Sequence, residues 1–319
     1  MGVILGVDGG NSKTELVAAT TDGAVLVQLR GPGSNSHGIG AEGTAAVIGA
    51  LVEEAGVALP VEHGTFYLCG ADLPPDIAEL ESAVAGAGWA GSITVDNDTF
   101  ALLRAGSDAG DAVAVVCGSG INCVGRAAGG RIARAPSLGW ESGDWGGSEM
   151  LGREALFLAA RAEDGRGRPT GLVDLIRGHF ELPSVVDVGA AVHYRRLPQA
   201  RLGELAPIVL AAAAQGDAVA RELADRLAGE VALMVRRAFR ELGLEAADVV
   251  LGGGMFQGEA TYLTGAVAAR LPAGARPLVF AEPPVVGAAL AALDAAGASE
   301  AAKRRLRSEL ARIDEEAVV

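Results

Sequence analysis

The sequence predicts an α/β protein built from two related halves, and three observations support this prediction. The 319 residues are enough for roughly two domains of about 150 residues each. A unit of strand, glycine-rich turn, strand, two-residue turn and strand occurs twice, starting at Val3 and again at Val113. After each unit, helical and strand-like hydrophobic patterns follow one another, which is typical of sheets covered by helices.

The first half opens with predicted strands at 3–7, 14–20 and 24–29, and Asp22-Gly23 forms a tight turn between the last two. Hydrophobic periodicity then predicts helix 42–55, strand 64–70, helix 75–87, strand 92–96 and helix 99–105. A Gly/Asp/Ser stretch at 106–111 predicts the boundary, so we expect an N-terminal domain over residues 1–108.

The second half repeats the three-strand unit at 113–117, 123–127 and 131–135 and is then rich in helices. The predicted helices span 149–163, 171–179, 184–191, 201–215, 217–242, 259–271 and 285–296, with an amphipathic helix at 300–315. Short strands are predicted at 249–251 and 277–281. We therefore expect a C-terminal domain over residues 109–283 and terminal helices over 284–319.

Composition and charge exclude several classes of protein. The chain is 50% hydrophobic and 21% charged, which excludes disorder and a coiled coil. A net charge of −14 has the wrong sign for binding a nucleic-acid backbone. The longest apolar run, 206–214, is too short to cross a bilayer, and Asp8 interrupts the N-terminal run that a signal peptide would need. Cys69, Cys117 and Cys123 lack metal-ligand spacing, so we interpret them as buried hydrophobes of a reduced, cytoplasmic protein.

A polar, glycine-rich turn follows the first strand and reads Asp8-Gly9-Gly10-Asn11-Ser12-Lys13-Thr14. Glycines let backbone N–H groups approach a phosphate, the two hydroxyl groups add donors, and Lys13 adds a charge. Lys13 is one of only two lysines in a chain that otherwise uses arginine, which indicates a need for a compact ammonium group. Asp8 ends an apolar strand, where a carboxylate could hold hydrated Mg²⁺. The spacing is not that of a Walker A loop, and an ordinary hairpin is the alternative interpretation.

Two further glycine turns follow strands in the second half. The segment Gly118-Ser119-Gly120-Ile121-Asn122 occupies the place of the first loop in the repeated unit, and it therefore predicts a second phosphate contact. Its alternative is an ordinary turn. Gly252-Gly253-Gly254 lacks the spacing of the dinucleotide-binding fingerprint, so we interpret it as a shelf against a nucleotide base or ribose.

Candidate acceptor-binding and catalytic residues lie in three polar segments. Asp98 follows a strand and could either cap the next helix or act as the general base for a hydroxyl group. The loop 140–147 carries two of the three tryptophans together with Glu141 and Asp144. Aromatic faces stack on sugar rings and carboxylates accept hydroxyl hydrogens, so this loop predicts a sugar site, with a structural loop as its alternative. The segment 34–37, Ser-Asn-Ser-His, is a weaker candidate of the same kind.

Taken in chain order, these segments resemble the acetate kinase/sugar kinase/heat-shock-protein-70/actin superfamily. Within it, the chain is most similar to the branch of N-acetylglucosamine kinases and BadF/BadG/BcrA/BcrD ATPases, over residues 6–296. The resemblance implies two RNase-H-like (actin-like ATPase) domains with a nucleotide cleft between them, and terminal helices that return to the first domain. It implies ATP and Mg²⁺ as cofactors, a small sugar as partner, and neither nucleic acid nor membrane; a homodimer stays open.

The resemblance also implies a role for each loop residue. Asp8 would position Mg²⁺ through water, and Asp98 would be the catalytic base. Phosphates and nucleotide would be bound by Gly9, Gly10, Asn11, Ser12, Lys13, Thr14, Ser119, Gly120, Gly252, Gly253 and Gly254. The sugar would be bound by Asn35, Asp98, Gly120, Asn122, Trp140 and Asp144. The implied reaction is phosphorylation of the 6-hydroxyl of N-acetylglucosamine or a related amino sugar.

The sugar loop departs from the family pattern. Only three residues separate Trp140 from Asp144, Trp145 replaces the usual Glu, and Gly147 stands where Ser is usual. These changes lie where an acetamido group would be recognised, so the identity of the sugar stays open. Two other functions also stay open: an ATPase coupled to a protein partner, which the cysteine positions disfavour, and a non-catalytic sugar sensor, which the retained Asp8, Lys13 and Asp98 disfavour.

Overall fold

The structure, a computed structural model, describes residues 2–257 and 261–317, and side chains as far as residue 313. The chain divides into two compact units. The first comprises Met1–Asp108 together with Glu282–Val319, and the second comprises Ala109–Ala281. The predicted α/β fold class is confirmed, because each unit contains a five-stranded mixed sheet with helices packed on it.

The first unit is built on a sheet whose strands are β1 (Val3–Gly9), β2 (Lys13–Thr20), β3 (Val25–Pro32), β4 (His63–Leu68) and β5 (Ile93–Asn97). Their order is β3-β2-β1-β4-β5. Tight turns join the first three strands, which are antiparallel, whereas helical crossovers make β4 and β5 parallel to β1. The carboxyl ends of β1, β4 and β5 therefore lie side by side at one edge of the sheet.

Helices cover both faces of this sheet. They are α1 (Ser36–Ala55), α2 (Pro74–Gly86), α3 (Thr99–Gly106), α10 (Val285–Ala295) and α11 (Glu300–Ala317). Successive strand residues point to opposite faces. Leu5 and Val7 therefore pack in one core with residues of α1 and α2, while Ile4 and Val17 pack in another with α10 and α11.

The second unit repeats the sheet. Its strands are β6 (Ala112–Cys117), β7 (Ile121–Arg126), β8 (Ile132–Arg134), β9 (Ala247–Gly252) and β10 (Ala275–Val279). The order β10-β9-β6-β7-β8 is that of the first unit, with an antiparallel three-strand unit and two added parallel strands. The turn after β6 and the segment after β9 consequently lie at the same sheet edge.

The remaining helices pack with this second sheet around one large core. They are α4 (Gly147–Glu163), α5 (Leu172–Phe180), α6 (Val185–His193), α7 (Ala206–Gln215), α8 (Ala218–Leu242) and α9 (Thr261–Ala268). The longest, α8, starts where the Asp217 carboxylate accepts the N–H groups of Val219 and Ala220, and it ends before Gly243 in the left-handed conformation. Along the part of the chain that is described, no single helix is long and apolar enough to cross a membrane. One bent pair, Gln199–Gln215 and Ala218–Leu242 at 112°, meets that criterion only when joined.

Three helices differ from the sequence prediction. Helix α1 begins at Ser36 rather than at residue 42, because Asn35 caps it and only Gly40 departs from helical geometry inside it. Residues 201–205 form part of a 3₁₀ turn, Gln199–Leu205, since Pro207 in the first turn of α7 has no N–H to extend an earlier helix. The predicted helix 259–271 is described only from Thr261, and its first two residues lie outside the described part of the chain.

Candidate active site

Three carboxylates meet at the edge formed by the carboxyl ends of β1, β4 and β5. Asp8 is the penultimate residue of β1, Asp72 lies in the loop after β4, and Asp98 directly follows β5. The three carboxylates are close enough to affect one another's pKa values. The charge of Asp98 raises the pKa of Asp8, and the charge of Asp72 raises the pKa of Asp98. Such an edge is where open α/β sheets place their ligand-binding and reactive groups.

Asp8 is a buried carboxylate, with 7% of its surface exposed. Burial raises its pKa well above the usual value, the charges of Asp98 and Glu15 add to this rise, and Lys13 opposes it. A buried acid with anionic neighbours is stabilised in its charged form by a cation. Asp8 therefore lies where a hydrated divalent ion would relieve unfavourable charge.

Asp98 occupies the N-cap position of α3, but its side chain makes no capping hydrogen bond. The preceding Asn97 takes over that function, because its side-chain oxygen accepts the N–H of Thr99 at 2.9 Å. Burial is the main cause that raises the pKa of Asp98 to about 7 and Asp72 contributes, whereas hydrogen bonds from the backbone N–H groups of Thr99 and Asp98 to this carboxylate oppose the rise. A carboxylate with a pKa near neutrality that is not used as a cap is suited to accept a proton.

Backbone hydrogen bonds hold the first glycine turn, both within the turn and to the segment that follows β3. The N–H of Gly10 donates to the carbonyl of Lys13 at 2.9 Å, and the carbonyl of Gly10 accepts the N–H of Ser34 at 3.0 Å. A Cβ atom at Gly9 would lie 2.6 Å from the hydroxyl oxygen of the buried Ser34, so a larger residue would displace the Ser34 side chain. Asn11 and Ser12 are exposed at the tip, available to a ligand.

Asn35 joins the predicted sugar segment to this turn. Its side-chain nitrogen donates to the side-chain oxygen of Asn11 at 3.1 Å, while its own oxygen accepts the N–H of His37 at 3.0 Å. The predicted sugar ligand Asn35 and the predicted phosphate ligand Asn11 are therefore in contact within the first unit.

The first two residues of β2, Lys13 and Thr14, make side-chain contacts with other residues of the protein. Thr14 is fully buried and its hydroxyl donates to that of Ser34 at 2.8 Å, so it braces the turn instead of presenting a donor to a ligand. The Lys13 ammonium forms an ion pair with Glu15 at 2.7 Å. Glu15, which the sequence analysis did not single out, is buried opposite Asp8 in the β1–β2 register. A charged residue within a buried strand was the signal that could have identified it.

In the second unit, the start of α4 lies directly against the turn after β6. The N–H of Ser148 donates to the carbonyl of Gly118 at 2.8 Å, and the N–H of Glu149 donates to that of Ser119 at 3.2 Å. Gly147 has φ +79°, and a Cβ atom there would lie 2.3 Å from the Ser119 carbonyl oxygen. The glycine that replaces the family's serine is therefore required by this close approach, while Ser119 and Gly120 stay exposed.

A cavity of about 170 Å³ lies beside this turn. Its lining includes Ser119, Gly120, Ser137, Asp144, Glu149 and Arg153. The Asp144 carboxylate accepts the hydroxyl of Ser142, and Asn122 accepts the hydroxyl of Ser137 at 2.5 Å. Three of the predicted ligands, Ser119, Gly120 and Asp144, thus line one cavity. Asn122 does not line it but is hydrogen-bonded to Ser137, which does. Ser137, Glu149 and Arg153 were not predicted.

The two tryptophans of the sugar loop have different environments. Trp145 is 6% exposed, packs in the core, and has the Arg226 guanidinium 4.0 Å from its ring centre. Trp140 is 77% exposed on a 3₁₀ turn and does not line the cavity. Trp145 is therefore a structural residue, whereas the contact of Trp140 with a sugar stays a prediction.

The triple-glycine segment lies beside the second turn, because β9 and β6 are parallel neighbours. Gly253 has φ +91°, and a Cβ atom there would lie 2.4 Å from the carbonyl oxygen of Cys117. Gly252 is buried, while Gly254 is exposed and has open space where a side chain would be. A flat ligand could therefore approach the backbone most closely at Gly254.

Metal-binding and thiol chemistry are limited within residues 2–257 and 261–317. No group of three or more His, Cys, Asp or Glu side chains there is arranged to hold a metal ion. The buried Asp8 nevertheless fits Mg²⁺, which usually keeps several waters and is bound by one or two carboxylates plus substrate phosphates. Cys117 and Cys123 are buried, which raises the pKa of each thiol to about 12, and Cys69 is partly exposed with a raised pKa. None is therefore a reactive thiolate near neutral pH.

Residues 5–292 match the BadF/BadG/BcrA/BcrD ATPase family. The chain belongs to this family. The resemblance inferred from the motifs is thereby confirmed, and membership of an ATPase family implies that the protein uses ATP.

Among the relatives of this BadF/BadG/BcrA/BcrD ATPase is the N-acetylmuramic acid/N-acetylglucosamine kinase of Clostridium acetobutylicum. It is 30% identical over 257 residues, which cover 79% of this chain and 84% of the kinase. The N-acetyl-D-glucosamine kinase of Dictyostelium discoideum is 23% identical and matches 76% of this chain and 81% of its own.

Solved structures show the same fold. A proposed N-acetylglucosamine kinase from Chromobacterium violaceum has a TM-score of 0.69 at 24% identity, covering 91% of this chain and 98% of its own. A glucokinase of the ROK family from Streptomyces griseus, in complex with glucose and AMPPNP, has a TM-score of 0.56 at 18% identity, covering 92% and 100%. This chain therefore shares the actin-like ATPase fold of these sugar kinases.

Proposed function

We propose that this protein is an ATP-dependent amino-sugar kinase that phosphorylates the 6-hydroxyl of N-acetylglucosamine or a close relative. The observation that carries the proposal is Asp98, a carboxylate at a strand end that does not cap its helix and whose pKa is raised to about 7. Relatives named as kinases of N-acetylglucosamine support the choice of acceptor.

Asp98 would accept the proton of the sugar hydroxyl. The sugar oxygen would at the same time form a bond to the γ-phosphorus of ATP, while the bond between that phosphorus and the bridging β-phosphate oxygen breaks and ADP leaves. Phosphoryl transfer is catalysed mainly by positioning and by neutralising charge. The exposed Ser12 and the ammonium of Lys13 are suited to contact phosphate oxygens. Asp8 would hold magnesium through water, and the ion, when bound, would neutralise charge on the phosphates.

Each unit offers hydrogen-bonding side chains that we propose as sugar ligands. Asn35 in the first unit is the candidate with a fixed orientation, because its side chain contacts both Asn11 and His37. In the second unit, Asp144 and Gly120 line the same cavity, and we propose that Asp144 accepts hydroxyl hydrogens. Asn122 and Trp140 complete the proposed set.

A second candidate function is an ATPase that couples hydrolysis to a protein partner. The family description supports the ATPase part of this candidate. The buried Cys117 and Cys123 do not favour a coupled ATPase that holds a metal cluster at its surface through cysteines. A cytoplasmic location, the absence of nucleic-acid or membrane partners and the question of a homodimer stay predictions.

Release of ADP with glucosamine, N-acetylglucosamine, N-acetylmannosamine, N-acetylmuramic acid, glucose and no sugar tests both functions. We expect release that depends on an amino sugar, with slow hydrolysis in its absence because the acceptor completes the site. Coupling between ³¹P and the protons on carbon 6 of the product identifies the phosphorylated hydroxyl. Rapid hydrolysis without sugar would favour the partner-coupled ATPase.

A further inference from the structure

We infer that Asp72 is a positioning residue for Asp98 and acts through the side chain of Asn97. The inference rests on the proposed role of Asp98 in sugar phosphorylation. Asp72 lies in the loop between β4 and α2, outside the glycine turns and the sugar loop.

Two successive hydrogen bonds connect Asp72 to the residues on either side of Asp98. One oxygen of Asp72, whose side chain is 10% exposed, accepts the side-chain N–H of Asn97 at 2.8 Å. The oxygen of the Asn97 amide accepts the backbone N–H of Thr99 at 2.9 Å. Asn97 itself is 4% exposed, so its amide is held within the protein. The residue before Asp98 and the residue after it are thereby linked by one amide group.

Asp72 helps to hold that amide in the orientation that faces Thr99. It accepts a hydrogen bond from the Asn97 nitrogen while the Thr99 N–H donates to the Asn97 oxygen, so the two contacts together fix the amide. Without Asp72, the amide could turn and release the helix N-terminus. Asp98 occupies the N-cap position, and aspartate is among the residues that cap helices best. The Asp98 carboxylate already accepts from the Thr99 N–H. Without the competing Asn97 oxygen, it would turn further onto the N–H groups at the start of α3 instead of accepting a substrate proton.

The loop that carries Asp72 has its own support. The carboxylate of Asp76, in the first turn of α2, accepts the N–H of Leu73 at 3.0 Å. Removing the Asp72 side chain therefore leaves the capping of α2 in place. The second oxygen of Asp72 lies 3.8 Å from the exposed imidazole of His37 on α1.

Two substitutions at the same position separate the hydrogen bond from the charge. Asp72→Ala removes both, whereas Asp72→Asn keeps an oxygen that can accept from Asn97. We expect Asp72→Ala to lower kcat at least about 10-fold, as expected for a misplaced catalytic group, with KM for ATP unchanged. Asp72→Asn should retain kcat within about threefold of wild type, a difference of roughly 0.65 kcal/mol in the barrier. The assays are run well above pH 8, where Asp98 is deprotonated in every variant.

Asp76→Asn is the matched control and should leave kcat unchanged, since it alters a neighbouring carboxylate, in the first turn of α2, that accepts the N–H of Leu73. The double variant Asp72→Ala/Asn97→Ala should have the same kcat as Asn97→Ala alone, because both substitutions break the same series of hydrogen bonds. If Asp72→Ala does not fold, Asn97→Asp tests the same contact, since it loses the N–H donor but keeps an oxygen for Thr99, and it should show the same loss of kcat.

Equal kcat in Asp72→Ala and wild type would overturn the inference, as would an equal loss in Asp72→Ala and Asp72→Asn or additive losses in the double variant. Wild-type protein that releases no ADP with any sugar would instead refute the proposed kinase function. Failure of the inference and failure of the proposed function are thus distinguishable.

Discussion

The ammonium of Lys13 donates a hydrogen bond to the buried carboxylate of Glu15 across 2.7 Å. The lysine side chain is 34% exposed and the glutamate side chain 7%, so the buried acid anchors a cation that still reaches solvent. The pair sits at the start of β2, next to the exposed tip of the first glycine turn. The charge expected to meet a phosphate is therefore oriented before any ligand arrives.

Lys13→Ala should lower kcat/KM for ATP by roughly 10-fold or more, because one charge-assisted hydrogen bond is lost. Lys13→Arg should restore only part of it, since the guanidinium group is larger and planar. The assay is steady-state ADP release with ATP as the varied substrate. Lys303→Ala is the control, because the second lysine of the chain pairs with Asp294 and Glu300 on a different surface. Full activity of Lys13→Ala would show that Lys13 is only a hairpin residue.

Asp98→Asn should lower kcat by about 10²–10⁴-fold, the usual contribution of a general base. The amide keeps the size of the side chain but cannot accept the hydroxyl proton. ATP binding, measured by calorimetry, should change little, because the glycine turns are intact. Turnover close to wild type would remove Asp98 from the mechanism and favour Asp96, which also lies at the end of β5.

The activity of wild-type protein should depend on pH through Asp98. The base acts in its deprotonated form, and its pKa is raised to about 7. The value of kcat/KM for the sugar should therefore fall about tenfold per pH unit below pH 7 and reach a plateau above it. A profile that is flat between pH 5.5 and 8, with ATP saturating, would contradict this assignment.

Asp144→Ala should raise KM for the sugar, because sugar hydroxyl groups would lose their acceptor at a cost of about 1–3 kcal/mol. The affinity for ATP should stay within error in a direct binding assay.

The shortened loop between Trp140 and Asp144 in the wild-type protein should tolerate a free amine at carbon 2 of the sugar. A preference for N-acetylglucosamine over glucosamine above about 100-fold, near 2.7 kcal/mol, would exclude this relaxed specificity and leave the kinase assignment intact.

Two glycines with positive φ allow a test of the contact between α4 and the second turn. Gly143 has φ +77° and open space around the position of a Cβ atom, whereas Gly147 has φ +79° and a carbonyl 2.3 Å away. Gly143→Ala should cost about 1–2 kcal/mol of unfolding free energy, the backbone penalty alone. Gly147→Ala should cost clearly more in the same denaturant titration. Equal losses would mean that the turn moves freely away from α4.

The repeated three-strand unit could be predicted because its signals are local. Each unit consists of apolar runs separated by glycine turns, and those runs became β1–β3 and β6–β8. The glycine turns could be placed for the same reason, because each lies between two apolar runs. The contact that requires glycine at Gly147 could not, because it is made with the distant Ser119 carbonyl.

The roles of Asp72 and Glu15 could not be predicted, because both depend on strand pairing. The bond between Asp72 and Asn97 joins residues 25 positions apart, which the parallel pairing of β4 and β5 brings together. The two tryptophans of one loop were equally plausible sugar contacts in the sequence. Packing against Arg226, far along the chain, is what distinguishes the buried Trp145 from the exposed Trp140.

The first unit is discontinuous in sequence, and this has a consequence for biosynthesis. Helix α10 covers the sheet face that carries Ile4 and Val17, but the whole segment Ala109–Ala281 is translated before it. At the usual rate of synthesis, the ribosome needs on the order of ten to thirty seconds to pass through that segment. During this interval the nascent chain carries strands whose apolar face has no cover, which makes that face the natural target of a chaperone.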